Sequence, residues 1–153
     1  MRFLVCALLV AGASLVTRAQ PRNPAEADIR QSGRTSIMVS VNNLVDDPAD
    51  CVLRHYSGTI IKVHHDEEYG IRIDGFTLLG SRGERNYFNV DQSIYDDFRL
   101  VRADIGWLPT LIAPNKKVRV DAYLCGASGG VAMAHNIISL TLPAPRSKTR
   151  RRA

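Results

Sequence analysis

Apolar and polar residues alternate with a period of two along most of residues 35–142, a pattern typical of β-strands with one buried face. The alternation predicts strands at about 36–41, 58–63, 69–79, 86–90, 117–124 and 132–142. In the second strand we expect Ile61 and Val63 to point one way and Lys62 the other. The pattern therefore indicates a mainly β fold.

The third predicted strand changes phase at Gly75. Ile71 and Ile73 share the inward face before the glycine, whereas Phe76 and Leu78 share it afterwards. A slip of one residue at a glycine is typical of a β-bulge. Because bulges let a sheet curl, this feature favours a small β-barrel.

Residues 93–107 change to a helical period. Ile94, Phe98, Val101 and Ile105 recur at spacings of four, three and four, which fits one apolar face of a short helix. The alternating pattern returns after residue 116. The sequence thus predicts one short helix between the third and fourth strands of the barrel.

The first 19 residues have the features of a secretory signal peptide. Arg2 is followed by an apolar run of 14 residues, from Phe3 to Val16, and Ala19 is a small residue of the kind found at cleavage sites. We expect cleavage after Ala19, with Ala13 as the alternative. A membrane-spanning helix needs roughly 20 apolar residues, so a retained anchor is the less favoured alternative. The expected location is therefore secreted or periplasmic.

Two cysteines remain once Cys6 leaves with the signal peptide. Because the compartment is expected to be oxidising, Cys51 and Cys125 predict one disulfide, with two buried thiols as the alternative. Closing so long a loop stabilises a domain by roughly 4 kcal/mol in the chain-entropy account.

The net charge of +5 comes from the ends of the chain. Residues 20–145 hold 13 basic and 15 acidic residues, so this part is slightly acidic. The last eight residues hold five basic side chains. Proteins that bind nucleic acid usually carry their positive charge on the folded surface, so a nucleic-acid partner is disfavoured.

Composition divides the chain into four parts. We expect a signal peptide at 1–19, a flexible linker at 20–34, a single domain at 35–142 and a disordered basic tail at 143–153. The tail is interpreted as a solvated segment, with binding to an anionic surface as the alternative.

The order of three strands, a helix and two strands resembles the OB-fold, over residues 55–142. With the signal peptide, a helix that leads into "KKVRVDAYLC" and the cysteine at the end of that stretch, the chain resembles the exported, disulfide-bonded OB-fold subunits of bacterial AB5-type toxins. The resemblance implies an OB-like barrel that binds cell-surface glycans. It assigns no binding residue, and the basic tail departs from it.

The stretch Gly126–Gly130 matches G-x-S-x-G, the nucleophile-elbow pattern of hydrolases. An elbow needs a helix after the serine, but residues 132–142 alternate like a strand. Only His135 follows Ser128 as a potential base, and no carboxylate follows Asp121. We therefore interpret the stretch as a hairpin connection and expect no catalytic residue.

The run "HHDEE" at residues 64–68 contains two imidazoles and three carboxylates, which are side chains that bind metal ions. Adjacent residues of a strand point to opposite faces, so His64 and His65 are weak candidates for one metal site. We interpret the run as a polar hairpin tip, with no metal and no cofactor.

Aromatic and arginine side chains on the predicted strands could form a stacking surface. We expect Phe88 inside. The candidate ligand-binding residues are Tyr87, Tyr123, Arg119, Arg85 and Arg72, with both tyrosines outside. An ordinary solvated sheet face is the alternative interpretation.

The sequence thus predicts an exported, non-catalytic binding module that recognises a glycan or a protein through its sheet face or loop rim. Two alternatives stay open: a small secreted hydrolase that uses Ser128 and His135, and a periplasmic OB protein that binds nucleic acid. Association into a homo-oligomer is also left open.

Overall fold

The computed structural model describes residues 24–126 and 131–141. The strands of this part of the chain are β1 (Glu26–Ser32), β2 (Thr35–Asn42), β3 (Cys51–His65), β4 (Ile73–Gly80), β5 (Arg85–Asn89), β6 (Lys117–Cys125) and β7 (Val131–Ser139). Three four-residue helical turns lie between β5 and β6: α1 (Ser93–Asp96), α2 (Arg102–Ile105) and α3 (Leu108–Leu111). The predicted mainly β class, and the helical segment before the strand at Lys117, are confirmed.

Five of the strands form a partial ring. The antiparallel pairs β3–β4, β4–β5, β3–β6 and β6–β7 make most of it. β5 and β7 run parallel and meet at one residue pair, Asn89 and Met133, so the ring is weakly joined there. The hairpin of β1 and β2 attaches to β7 through Ser40 and Val41.

The expected linker at 20–34 is wrong for Glu26–Ser32, which pairs with β2 along its whole length. Ala25 is buried, and Ala27 and Ile29 pack against the core, so the few apolar side chains of this polar stretch anchor it. Gly33, with φ of 63°, allows the tight turn that follows. Residues 1–23, which include the expected signal peptide, lie outside the described residues, as do 142–153 with the basic tail.

The predicted bulge at Gly75 is confirmed. His64 pairs with Gly75 and His65 with Ile73, so Asp74 is the extra residue of β4. A second register shift in β3 lies between Ile60 and Lys62. Ile61 is the extra residue there and is 38% exposed, whereas Ile60 before it is completely buried.

The helical segment predicted at 93–107 is present, but as separate short turns and not as one continuous helix. Phe98 has φ of 50° and Val101 has ψ of 131°, and neither conformation continues an α-helix. Consequently Phe98 and Val101 are 56% and 60% exposed, while Arg99 and Leu100 between them are buried.

The core lies inside the ring. Its largest completely buried side chains include Phe76 and Phe88, whose ring centroids are 5.4 Å apart. Tyr56 meets Phe88 edge to face at 5.0 Å. The segment between β5 and β6 contributes Ile94, Leu100, Leu108 and Leu111 to the same cluster. The inward position predicted for Phe88 is confirmed.

A disulfide joins Cys51 and Cys125, as predicted, with Cα atoms 4.5 Å apart on the paired strands β3 and β6. A second long-range connection joins the β2–β3 loop to the helical segment, where buried Arg99 forms a salt bridge of 2.8 Å with Asp46. In the part of the chain that the structure covers, no helix has the length and apolar character needed to cross a membrane.

Candidate functional site

Tyr87 lies on the outward face of β5 and is 44% exposed, as expected. Its ring packs edge to face on His64, with centroids 5.1 Å apart. Burial, and then the Asp74 carboxylate that accepts its hydroxyl hydrogen bond, raise the pKa of Tyr87. Arg85 begins the same strand and is exposed.

Tyr123 is not outside, as the alternation had indicated, but buried. It does lie on the face of β6 opposite to the core, but the β2–β3 loop covers that face. The Tyr123 ring packs on His135, whose Nδ1 donates to the Val45 carbonyl, and the Tyr123 hydroxyl hydrogen bonds to Asp47. Burial is the main cause that raises the pKa of Tyr123, and Asp47 adds to it. Tyr123 is therefore a packing residue in this fold.

Arg119 is exposed on β6 beside a polar network of three strands. His55 Nδ1 donates to the Asp121 carboxylate at 2.7 Å, and Asn136 Nδ2 donates to its other oxygen at 3.0 Å. Burial raises the pKa of Asp121, but the hydrogen bonds from His55 and Asn136 outweigh burial and leave the pKa lowered.

The two candidate metal ligands are separated. His64 lies within hydrogen-bond distance of the Thr77 hydroxyl, at 3.1 Å, while His65 is exposed. Among the residues that the structure covers, no three His, Cys, Asp or Glu side chains lie close enough to hold a metal ion.

Ser128 lies outside the described residues. The prediction that a strand follows the glycine-rich stretch is confirmed, since Val131–Ser139 is β7 and Cys125 pairs with Val131. A nucleophile elbow requires a helix at that point. The strands on either side of residues 127–130 are antiparallel neighbours, and no helix begins at Val131.

A concave surface that combines apolar and charged side chains lies at the end of the ring where the β3–β4 turn meets the helical segment. We call it the rim cleft; its volume is about 520 Å³, and its lining residues are Ile71, Arg72, Tyr95, Phe98, Arg102, Ile105, Gly106 and Pro109. Ligand sites are typically clefts of about 300–1,000 Å³ with apolar walls and few polar groups. The rim cleft fits this description.

The β3–β4 turn is held by the side chain of Asp66. The Asp66 carboxylate accepts hydrogen bonds from the backbone N–H groups of Glu68 and Tyr69. The backbone N–H of Asp66 donates to the Arg72 carbonyl. This turn replaces the first residues of the strand expected at 69–79. As a result Ile71, which was expected inside, is 85% exposed at the mouth of the cleft.

Arg72 is fixed between two aromatic rings. Its guanidinium carbon lies 4.2 Å from the centroid of Tyr69 and 5.4 Å from that of Tyr95, and Nη1 donates to Asp96 at 2.7 Å. The Tyr95 hydroxyl accepts the N–H of Ile73, and burial raises the pKa of Tyr95. The wall formed by Arg72 and Tyr95 is thus rigidly supported.

Phe98 also lines the cleft, and its backbone conformation is strained. A positive φ is unfavourable for a bulky residue, and such strain is typically about 1–3 kcal/mol. Arg99 and Leu100, which directly follow Phe98, are both buried and anchor the chain after the turn. The guanidinium of Arg102 stacks over the exposed Phe98 ring at 5.7 Å.

Of the residues predicted to bind a ligand, only Arg72 lines the rim cleft. Tyr87, Arg85 and Arg119 lie elsewhere on the surface, and Tyr123 is buried. Sequence reasoning missed Ile71, Phe98 and Arg102 as site residues. The helical period assigned Phe98 to an apolar helix face, and nothing in the sequence marks the backbone turn that exposes it.

Fold and site together define a small, mainly β protein with one disulfide and a cationic, aromatic-walled cleft. Comparison of the chain with family models, with curated proteins and with solved structures gives no match. The chemistry of the cleft is therefore the evidence for a function. Its lining offers apolar surface and two guanidinium groups, and its eight residues include no serine, cysteine, histidine, aspartate or glutamate.

Proposed function

We propose that the chain is an exported, non-catalytic binding module that recognises a glycan or a protein through the rim cleft. The observation that carries the proposal is the exposed ring of Phe98 in the wall of a concave surface. The backbone of this residue has a positive φ. Strained residues cluster at ligand sites, where the surrounding fold maintains them. The proposal keeps the loop rim predicted from the sequence and moves the site away from the sheet face.

Export is part of the proposal. The apolar run near the N-terminus supports a signal peptide that is removed, and the Cys51–Cys125 disulfide fits an oxidising compartment. The order of strands around the partial ring supports an OB-like barrel of the kind found in AB5-type toxin subunits. The slightly acidic composition of residues 20–145 argues against nucleic acid as the partner.

A pair of matched surface variants tests the site. Ile71→Asp places a charge at the mouth of the cleft, and Val52→Asp places the same charge on a residue that is 54% exposed at the opposite end of β3. The secreted wild-type protein and both variants are applied to a glycan array and to a displayed random-peptide library. We expect ligands that bind the wild type and Val52→Asp equally and that lose binding to Ile71→Asp. Equal binding by all three proteins would place the site elsewhere.

The alternative functions predict other results. A serine-directed fluorophosphonate that labels the wild type and not Ser128→Ala would indicate a hydrolase instead. Binding to single-stranded DNA that weakens steeply between 50 and 200 mM salt would indicate a nucleic-acid partner. Neither result is expected from the rim cleft.

A further inference from the structure

We infer that the ligand of the rim cleft is a protein segment that places a large apolar side chain next to a carboxylate. The inference rests on the proposed function and names the partner chemistry of the same site. It follows from the exposed apolar surface of the cleft, from the state of its two arginines and from the shortage of other hydrogen-bonding side chains.

The large apolar and aromatic side chains in and next to the cleft are exposed to solvent. Ile71 is 85% exposed and Phe98 is 56% exposed, and Tyr69, next to the cleft, is 52% exposed. Large apolar side chains gathered at one place on a surface mark interaction sites, whereas single ones do not. A side chain of the size of leucine or phenylalanine would cover Ile71 and the face of Phe98 when it enters the cleft.

The cationic part of the site is positioned to meet an anion. Arg102 forms no salt bridge with any described residue, yet its guanidinium is held against the Phe98 ring. Arg72 donates to Asp96 through Nη1, and the rings of Tyr69 and Tyr95 keep its plane in place. A planar guanidinium that is already oriented binds a carboxylate through two parallel hydrogen bonds with little further loss of freedom. Charge complementarity therefore favours an acidic group beside the apolar anchor.

The lining favours a peptide over a sugar. A sugar presents many hydroxyl groups, and the cleft offers no amide or aliphatic hydroxyl side chain to pair with them. Its one hydroxyl belongs to Tyr95 and already accepts the N–H of Ile73 at 2.9 Å. Arg, Tyr and Phe with exposed aliphatic side chains are instead the composition that dominates protein–protein recognition.

In the test, displayed random peptides are selected on the full-length secreted protein. The affinity of synthetic copies of the selected peptides is then measured by fluorescence polarisation. Each selected peptide is compared with one copy in which Asp and Glu are replaced by Asn and Gln, and with one in which its large apolar residue is replaced by Ala. The protein variants are Arg102→Ala and Arg102→Lys, with Arg85→Ala as the matched control, since Arg85 is an exposed arginine outside the cleft.

We expect acidic peptides with a large apolar residue, whose affinity falls about tenfold in the Asn/Gln copy and in Arg102→Ala. Arg102→Lys should recover part of the affinity, and Arg85→Ala should not change it. Apolar peptides without an acidic preference, lost in Ile71→Asp but not in Arg102→Ala, would overturn the inference and leave the proposed function intact. Glycans that bind where peptides do not, with loss in Ile71→Asp, would do the same. If no ligand depends on Ile71, both the inference and the proposed function fail.

Discussion

At the scale of single residues, Phe98 links the backbone to the site. Its positive φ is unfavourable for any residue with a Cβ atom, but the buried neighbours Arg99 and Leu100 maintain it. The result is a large aromatic ring turned towards solvent beside Arg102. A residue that weakens the fold while it shapes a cleft is a typical compromise between stability and binding.

Because the backbone of Phe98 is strained, we expect glycine to give a more stable protein than alanine at this position. Both substitutions remove the ring, but only glycine adopts a positive φ freely, so Phe98→Gly should be about 1 kcal/mol more stable than Phe98→Ala. Val101 has φ of −53° and serves as the control, where alanine should be the more stable of the two. Urea unfolding of the four variants measures the differences. An alanine that equals or exceeds glycine at position 98 would show that the residue is not strained.

The lowered pKa of Asp121 determines how this residue contributes to the free energy of unfolding at different pH values. Hydrogen bonds from His55 and Asn136 lower its pKa in the folded protein below the ordinary 3.8, so the folded state favours the ionised carboxylate. The stabilisation is fully present above the ordinary pKa and is lost as the pH falls through the lowered value. Asp121→Asn should therefore be less stable than the wild type at pH 6, and the difference should shrink towards pH 2.

Urea unfolding between pH 2 and pH 6 measures this dependence. Asp28→Asn is the control, because the exposed Asp28 carboxylate pairs with the neighbouring Arg30 on β1. A constant difference between wild type and Asp121→Asn across this range would show that the carboxylate is not stabilised in its ionised form.

At the scale of elements, the β4 bulge sets which side chains face the core. With Asp74 as the extra residue, both Ile73 and Phe76 point inwards on either side of Gly75. At Gly75 the backbone of β4 also lies close to β5. A Cβ at Gly75 would lie 2.6 Å from the Phe88 carbonyl oxygen and against the Tyr87 hydroxyl. A side chain at this position therefore has no room.

Gly75→Ala should destabilise the protein by about 1–3 kcal/mol, since β4 and β5 must move apart. Gly106→Ala is the matched control. Gly106 has φ of −60°, and a Cβ added there would meet no atom within 4 Å, so the change should be neutral or slightly stabilising. Thermal unfolding compares the two variants. Equal melting temperatures for Gly75→Ala and the wild type would contradict the close approach of β4 and β5.

At the scale of the whole molecule, two long-range links hold segments that are distant in sequence. The disulfide closes a loop with a sequence separation of 74, and the Arg99–Asp46 salt bridge holds the β2–β3 loop against the helical segment. The β2–β3 loop also covers Tyr123. These links explain how a chain with a modest core keeps one arrangement of loops around the ring.

Replacing Cys51 and Cys125 together by serine should lower the free energy of unfolding by about 4 kcal/mol, since the unfolded chain regains the freedom that the loop removes. Denaturant unfolding with and without dithiothreitol provides the measurement. The wild type should become as labile as the double variant when it is reduced, and the double variant should not respond. An unfolding curve of the wild type that is unchanged by reduction would contradict the stabilising role.

The sequence could predict what depends on local period and composition. Alternation located six of the seven described strands but not β1, the slip at Gly75 located the bulge, and an even cysteine count paired Cys51 with Cys125. It could not predict what distant contacts decide. The exposure of Phe98 depends on Arg99, whose partner Asp46 lies 53 residues away, and the burial of Tyr123 depends on the β2–β3 loop. The rim cleft was missed for this reason, although Arg72 was named.

Hydrogen–deuterium exchange with and without a selected peptide tests the central claim, that the partner binds at the rim cleft and not on the sheet face. We expect slower exchange in the β3–β4 turn at residues 66–72 and in the segment 95–109, with unchanged exchange in β5 and β6. Protection confined to β5 and β6, with no change at the turn or around Phe98, would contradict the account.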